Sequence, residues 1–271
     1  MPILKTPSAN INYQVGGQGQ PVLFIQGIGV TGEGWRPQLD DLSRDHETVS
    51  FDNRGIGLSQ INSGGVTVAE MAEDAFALMD HLGWESAHIV GHSLGGIIAQ
   101  EMGLNRPKRV KSLTLMCTFA CGADGARFTF WSLWMFFRTR VGSLAKRRRA
   151  FLEMLFTSSF LRGVELNSFA AQVGKIVGRD LAVTPPVLMK QFNALKSHDR
   201  FKDLGRLKEI PTLVISAAQD KIATCASGMA LAAAVPGSKY VEYADAAHGL
   251  PIQMPEKIKY ELRKWFSSQA K

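Results

Sequence analysis

The sequence predicts an α/β protein, a doubly wound and mostly parallel sheet with an inserted helical subdomain. Three observations point there. Short apolar runs alternate with stretches of helical period from residue 35 onward, and several of those runs end directly in Gly-rich turns. One interval, 119–205, is helical by pattern throughout and lies between two runs that belong to the sheet. Strands alternating with helices of about a dozen residues argue for parallel strands covered on both faces.

In chain order, Ile11 to Val15 and Pro21 to Ile25 read as strands joined by Gly16-Gly17-Gln18-Gly19, a hairpin signal. A helix from Trp35 precedes a strand at Thr48 to Phe51. Thr67-Val68-Ala69-Glu70 has capping-box spacing, in which the threonine hydroxyl and the glutamate satisfy each other's backbone donors. Met71, Ala75, Leu78, Met79 and Leu82 follow with helical period, and Gly83 closes the helix. Ala87 to Val90 is a strand, followed by Gly91-His92-Ser93-Leu94-Gly95-Gly96 and a helix through Asn105. Val110 to Met116, Pro211 to Ser216 and Lys239 to Tyr243 are further strands, with a helical stretch Ala223 to Ala234 before the last. Glu256 to Gln269 closes the chain as an amphipathic helix. Residues 1–118 and 206–271 therefore make the core, and 119–205 the insertion.

Composition narrows the function classes. With 45% hydrophobic and 20% charged residues among 271, the chain has ample apolar surface to fold, which excludes a disordered chain. Its 26 Gly and 11 Pro follow no fixed period, which excludes a collagen-like filament. The uncharged, aromatic-rich stretch Phe128 to Phe137 is about half of what a membrane-spanning helix needs. Cys117, Cys121 and Cys225 form neither a disulfide framework nor a paired C-x-x-C zinc site, and read as buried or half-buried thiols. No basic segment followed by an apolar one opens the sequence, so a cytoplasmic location is expected.

The net charge of +7 is concentrated. Residues 122–205 hold 14 of the 31 Lys and Arg but only 6 of the 24 Asp and Glu. Most of the excess lies around Arg138, Arg140 and Lys146-Arg147-Arg148-Arg149. No nucleic-acid docking motif accompanies it, so no nucleic-acid partner is expected. The excess reads as a solvated helix face, with an anionic substrate group or contact with a membrane surface as the sharper alternatives.

Gly91-His92-Ser93-Leu94-Gly95 matches G-x-S-x-G directly after a strand and before a helix, the context that lifts a serine hydroxyl from the top of a sheet. Such a nucleophile needs a base and an acid that orients the base, in the chain order Ser, Asp or Glu, His. The histidines after Ser93 are His198, inside the insertion, and His248, on the loop after the last strand. His248 is the candidate base, and His198 reads as a satisfied surface residue. His92 is expected to point away from the nucleophile and pack locally. The candidate acid is Asp220, just beyond the strand ending at Ser216, with Asp245 and Asp124 as alternatives. The backbone N–H groups of Leu94 and of Ile28, in Gln26-Gly27-Ile28-Gly29, are the candidate oxyanion donors.

Gly27 to Gly29, the stretch Asp52-Asn53-Arg54-Gly55-Ile56-Gly57-Leu58-Ser59, the elbow at Ser93, Asp220 and His248 together resemble the α/β-hydrolase superfamily. The likeness is to members with a helical cap inserted after the sixth strand, and it covers essentially the whole chain. It implies that Asp52 and Arg54 are architectural, and that no metal or organic cofactor takes part. Members usually carry His-Gly where this chain has Gln26-Gly27, so an altered oxyanion loop is expected. The expected function is a serine hydrolase cleaving a small hydrophobic ester or lactone through an acyl-enzyme. The same scaffold also serves C–C bond hydrolases, perhydrolases, lyases and ligand-binding receptors with little turnover. In the cap, Phe128 and Phe130 to Phe137 form an almost all-apolar segment, from which Trp131, Trp134 and Phe137 are candidate substrate contacts.

Overall fold

The run Ala87–His92 is buried along its whole length, as a parallel strand covered on two faces must be. The computed structural model describes residues 2–127 and 129–269, and nine strands among them share one sheet. They are β1 (Ile3–Lys5), β2 (Ala9–Gly16), β3 (Gln20–Ile25), β4 (His46–Phe51), β5 (Gln60–Ile61), β6 (Ala87–His92), β7 (Val110–Met116), β8 (Thr212–Ala217) and β9 (Lys239–Tyr243). Their spatial order is β1-β2-β4-β3-β6-β7-β8-β9, with β5 paired to β2. Strands β3, β4 and β6 to β9 run parallel, while β2 is antiparallel to β1, β4 and β5.

The hairpin expected from β2 and β3 does not form. β4 lies between them, antiparallel to β2 and parallel to β3. The Gly-rich turn crosses the start of β4 so closely that a Cβ on Gly17 would sit 2.1 Å from the His46 carbonyl oxygen. Local turn chemistry brings two strands near each other, but a third strand from further along the chain takes the hydrogen bonds between them.

The helices are α1 (Arg36–Leu42), α2 (Val68–His81), α3 (Leu94–Asn105), α4 (Gly122–Gly125), α5 (Phe130–Arg138), α6 (Leu144–Leu155), α7 (Ser158–Arg162), α8 (Leu166–Val177), α9 (Val187–Ser197), α10 (Cys225–Ala234), α11 (Leu250–Gln253) and α12 (Pro255–Ser267). Helix α2 starts at Thr67, whose hydroxyl accepts the Glu70 N–H at 3.1 Å. The Glu70 carboxylate reaches back to the Gly65 N–H at 2.8 Å. Residues 94–104 of α3 are buried on every face, because the helix lies between the sheet and α2. Helix α12 buries Ile258, Leu262, Trp265 and Phe266, one helical stripe, and packs on α1.

Asp52 and Arg54 tie this frame together. The Asp52 carboxylate accepts from Gly32 N–H at 2.8 Å, Asn12 Nδ2 at 2.9 Å and Leu58 N–H at 3.1 Å. Arg54 is buried and pairs with Asp74 at 2.6 Å and Glu70 at 3.2 Å. Both side chains hold the loop between β4 and β5 to its surroundings.

The order of the strands sets the place of the site. From β3 the chain passes to β4 on one side and then to β6 on the other. Ile25 at the end of β3 stands opposite Gly91 near the end of β6, so the loops that follow both strands leave the sheet side by side. Such a reversal opens a crevice at the C-terminal ends of parallel strands.

Helices α4 to α9 lie between β7 and β8. Leu152, Phe156, Ala170, Val173, Val177 and Leu181 form a separate apolar cluster within this insertion. Phe119, Ala120, Ala194 and Leu195 belong instead to the main core, so apolar packing is continuous across residue 119. Among the described residues no helix is long and apolar enough to cross a membrane.

Candidate active site

Ser93 joins β6 to α3 with φ 55° and ψ −119°, a backbone conformation that costs a non-glycine residue about 1–3 kcal/mol. Its surroundings hold it there. Its N–H donates to the Met116 carbonyl at 3.0 Å, and its own carbonyl accepts the Thr118 hydroxyl at 2.7 Å and the Gly96 N–H at 2.9 Å. The flanking glycines leave room for the turn. A Cβ on Gly91 would lie 2.2 Å from the Gly95 oxygen, and one on Gly95 would lie 2.1 Å from the Ile25 oxygen.

His248 stands on the loop after β9, and its Nδ1 lies 2.7 Å from Asp220 Oδ2. The other oxygen of Asp220 accepts from Ile222 N–H at 2.7 Å and Ala223 N–H at 2.9 Å. A carboxylate that accepts three donors takes the Nδ1 proton as one of them, which leaves Nε2 with its lone pair. The Cys117 thiol beside Asp220 stays protonated, because burial and then the Asp220 charge push its pKa up. Asp245 is exposed, and His198 faces Glu101 at 3.6 Å. Of the three acids considered, Asp220 is the one hydrogen-bonded to His248.

His92 departs from expectation. It lines the same cavity as Ser93 and His248, and its Nε2 lies 2.8 Å from the His248 carbonyl oxygen. A carbonyl only accepts, so Nε2 carries the proton and Nδ1 is a bare acceptor with no hydrogen-bond partner among the described residues. Burial and then the nearby His248 lower its pKa to about 3. The His92 and His248 ring centroids lie 4.8 Å apart.

The loop after β3 presses on the nucleophile, so that a Cβ on Gly27 would come within 2.9 Å of Ser93 Cβ. Gln26 folds its Oε1 onto the Gly27 N–H at 3.2 Å. Ile28 follows and lines the cavity, while Leu94 opens α3, where the first amides have no acceptor within the helix. The next peptide is gripped by the insertion. Gly29 N–H donates to Gln191 Oε1 at 2.9 Å, and Gly29 O accepts Arg179 Nη1 at 3.0 Å. Neither partner was apparent from the sequence, since each lies about 150 or more residues further along the chain.

These groups border a cavity of about 350 Å³ between the sheet edge and the insertion. Its wall is largely apolar, with Phe119, Trp131, Phe136, Phe151, Leu188 and Phe192 among its side chains. Trp134 and Phe137, expected at the substrate, are not part of it. They stack on each other with ring centroids 5.9 Å apart and are 51% and 52% exposed. Trp131, Ser132 and Phe136 of α5 line the cavity, Met135 is buried outside it, and Leu133, Trp134 and Phe137 are exposed. Phe128, the first residue of that apolar segment, lies outside the described residues.

Comparison with known proteins agrees with this architecture. Residues 20–255 match the α/β-hydrolase fold family. The chain is 28% identical over 268 residues to RutD of Azorhizobium caulinodans, provisionally named a carbamate hydrolase, and the match spans 94% of each protein. The crystal structure of a hydrolase from Pseudomonas aeruginosa superposes with a TM-score of 0.81 at 27% identity, covering 98% of this chain and 97% of that one. That of BpoC from Mycobacterium tuberculosis, provisionally named a non-heme bromoperoxidase, gives 0.82 at 27% identity and covers 97% of each. With a family match over most of its length, the chain belongs to the α/β-hydrolase family.

Proposed function

We propose that the chain is a serine hydrolase that cleaves an ester or lactone with an apolar body through an acyl-enzyme. The observation that carries this reading is the hydrogen bond of 2.7 Å from His248 Nδ1 to Asp220, in a cavity that His248 shares with a strained Ser93.

The chemistry follows from those groups. Ser93 Oγ attacks the carbonyl carbon while His248 Nε2 takes its proton, and Asp220 stabilises the imidazolium that forms. The amides of Ile28 and Leu94 hold the developing oxyanion. His248 returns the proton to the leaving oxygen, and a water activated by the same Nε2 then releases the acyl group from Ser93. Covering helices keep bulk water from the acyl-enzyme and strengthen each electrostatic contact inside.

Hydrolysis of nitrophenyl esters from acetate to decanoate, by the wild type and Ser93→Ala, tests the reading. Turnover with an optimum at one chain length, reduced by at least about 10³-fold in Ser93→Ala, is the expected result. Negligible turnover across the series, or turnover indifferent to Ser93, would remove it.

A further inference from the structure

Arg127, Arg140 and Arg179 all line the cavity, and no aspartate or glutamate among the described residues does so. Arg179 Nε donates to the Val183 carbonyl at 3.1 Å, and its Nη1 to the Gly29 carbonyl. Its guanidinium carbon lies 5.7 Å from the Phe151 ring centroid. Arg140 lies over the Phe136 ring at 3.4 Å, and its Nη1 donates to the Phe136 carbonyl and the Thr139 hydroxyl. These acceptors are neutral. Burial lowers the pKa of Arg179, and burial followed by the charge of Arg147 lowers that of Arg140, with no carboxylate acting against it in either case.

Three of the six acids of the insertion pair with other arginines. Glu153 pairs with Arg138 and Arg149, Asp180 with Arg148, and Asp203 with Arg200. None of these three carboxylates lines the cavity, where Arg140 and Arg179 meet neutral acceptors. A guanidinium taken partly out of water next to aromatic rings is costly unless an anion meets it. Each of the two arginines has five N–H donors in a planar fork and commits only some of them to the protein.

We propose that the substrate carries a carboxylate in addition to the bond that is cleaved, and that Arg179 and Arg140 bind it. The inference deepens the ester or lactone reading of Ser93 and rests on it. Because Arg179 also holds the Gly29 carbonyl, a carboxylate bound there is registered against the oxyanion loop. The preferred compound is the half-ester of a dicarboxylic acid, or a lactone bearing an acid group, and not a neutral fatty ester.

The test compares neutral nitrophenyl esters with nitrophenyl half-esters of dicarboxylic acids of equal length, from succinate to suberate. A half-ester preferred over its neutral counterpart by about tenfold or more in kcat/KM is expected for the wild type. That ratio should fall by about tenfold in Arg179→Met and in Arg140→Met, and partly recover in Arg179→Lys. Arg179→Met lowers both series through the loss of its grip on Gly29, so the ratio, not the rate, reports recognition. No preference in the wild type, or a ratio that both methionine variants leave unchanged, overturns the proposal.

A second arm does not depend on turnover. Titration of Ser93→Ala with monomethyl adipate and methyl hexanoate at low salt should show tighter binding of the half-ester, lost on adding Arg179→Met. That result with no ester cleaved would refute the hydrolase reading and leave only the carboxylate-binding role of the two arginines. Ester cleavage with monomethyl adipate bound no better than methyl hexanoate would do the reverse.

Discussion

His92 Nε2 donates to the backbone carbonyl of His248 at 2.8 Å, so the residue before Ser93 holds the main chain of His248. The rings lie 4.8 Å apart between centroids. Asp220 fixes the imidazole from its Nδ1 side while His92 fixes the peptide that carries it. His92 is a positioning residue by this geometry, because its contact to the reacting groups runs through His248.

Replacing His92 by Phe keeps the ring shape and removes the donor, which leaves a buried carbonyl unpaired at a cost of about 1–3 kcal/mol. Ester turnover should fall about tenfold in kcat, with KM and the fold little changed. His92→Gln, which retains an N–H donor, should recover part of the loss. Equal rates for the Phe variant and the wild type would show that the hydrogen bond is incidental.

His88 and His92 make the fold acid-sensitive. Burial is the main cause in both, lowering His88 to about 4 and His92 to about 3 from the ordinary 6.5. Between pH 6.5 and about 4 the unfolded chain therefore binds protons that the folded chain refuses. Stability is full above pH 6.5 and is lost as the pH falls, by about 1.4 kcal/mol per pH unit for each histidine. Urea midpoints measured from pH 7.5 to 5 should decline along that slope, and His88→Asn should flatten it. A wild-type midpoint constant over this range would contradict the assignment.

Gln191 tests whether the insertion shapes the oxyanion loop. It is fully buried on α9, and its Oε1 is the acceptor for the Gly29 N–H. Gln191→Leu should lower kcat/KM for every ester by about tenfold, consistent with one buried donor left unpaired. Gln191→Glu, which still accepts, should lie closer to the wild type. Loss of thermal stability without loss of rate would place the residue in packing alone.

The two faces of α5 should separate in a chain-length series. Trp131→Ala enlarges the cavity and should shift the optimum toward longer acyl chains. Trp134→Ala and Phe137→Ala remove exposed rings and should leave the optimum in place. A shift caused by either of the latter would contradict the cavity described for α5.

Much of this was legible from local pattern. The bounds of β7 follow from its largely apolar run, because a strand buried between helix layers has little choice of composition. The elbow was legible because only glycine tolerates the contacts at positions 91 and 95, which ties the motif to its geometry. Asp220 and His248 were legible from the ends of the strands they follow. The hairpin reading failed at β2 and β3 because pairing depends on which strand arrives between them. All seven apolar or aromatic residues of α5 looked alike in sequence, since composition does not say which side of a helix meets a neighbour.

The sequence by itself determined the alternation of strands and helices, the serine turn between Gly91 and Gly95, and the chain order of Ser93, Asp220 and His248. These properties are set within a few residues by backbone sterics, burial and capping. Only the tertiary structure decided that His92 serves His248, that Gln191 and Arg179 hold Gly29, and that Arg140 and Arg179 face the cavity while Arg148 and Arg149 face away. Those contacts join residues far apart in the chain, and a hydrogen bond or an unpaired charge exists only once packing has chosen what each side chain meets.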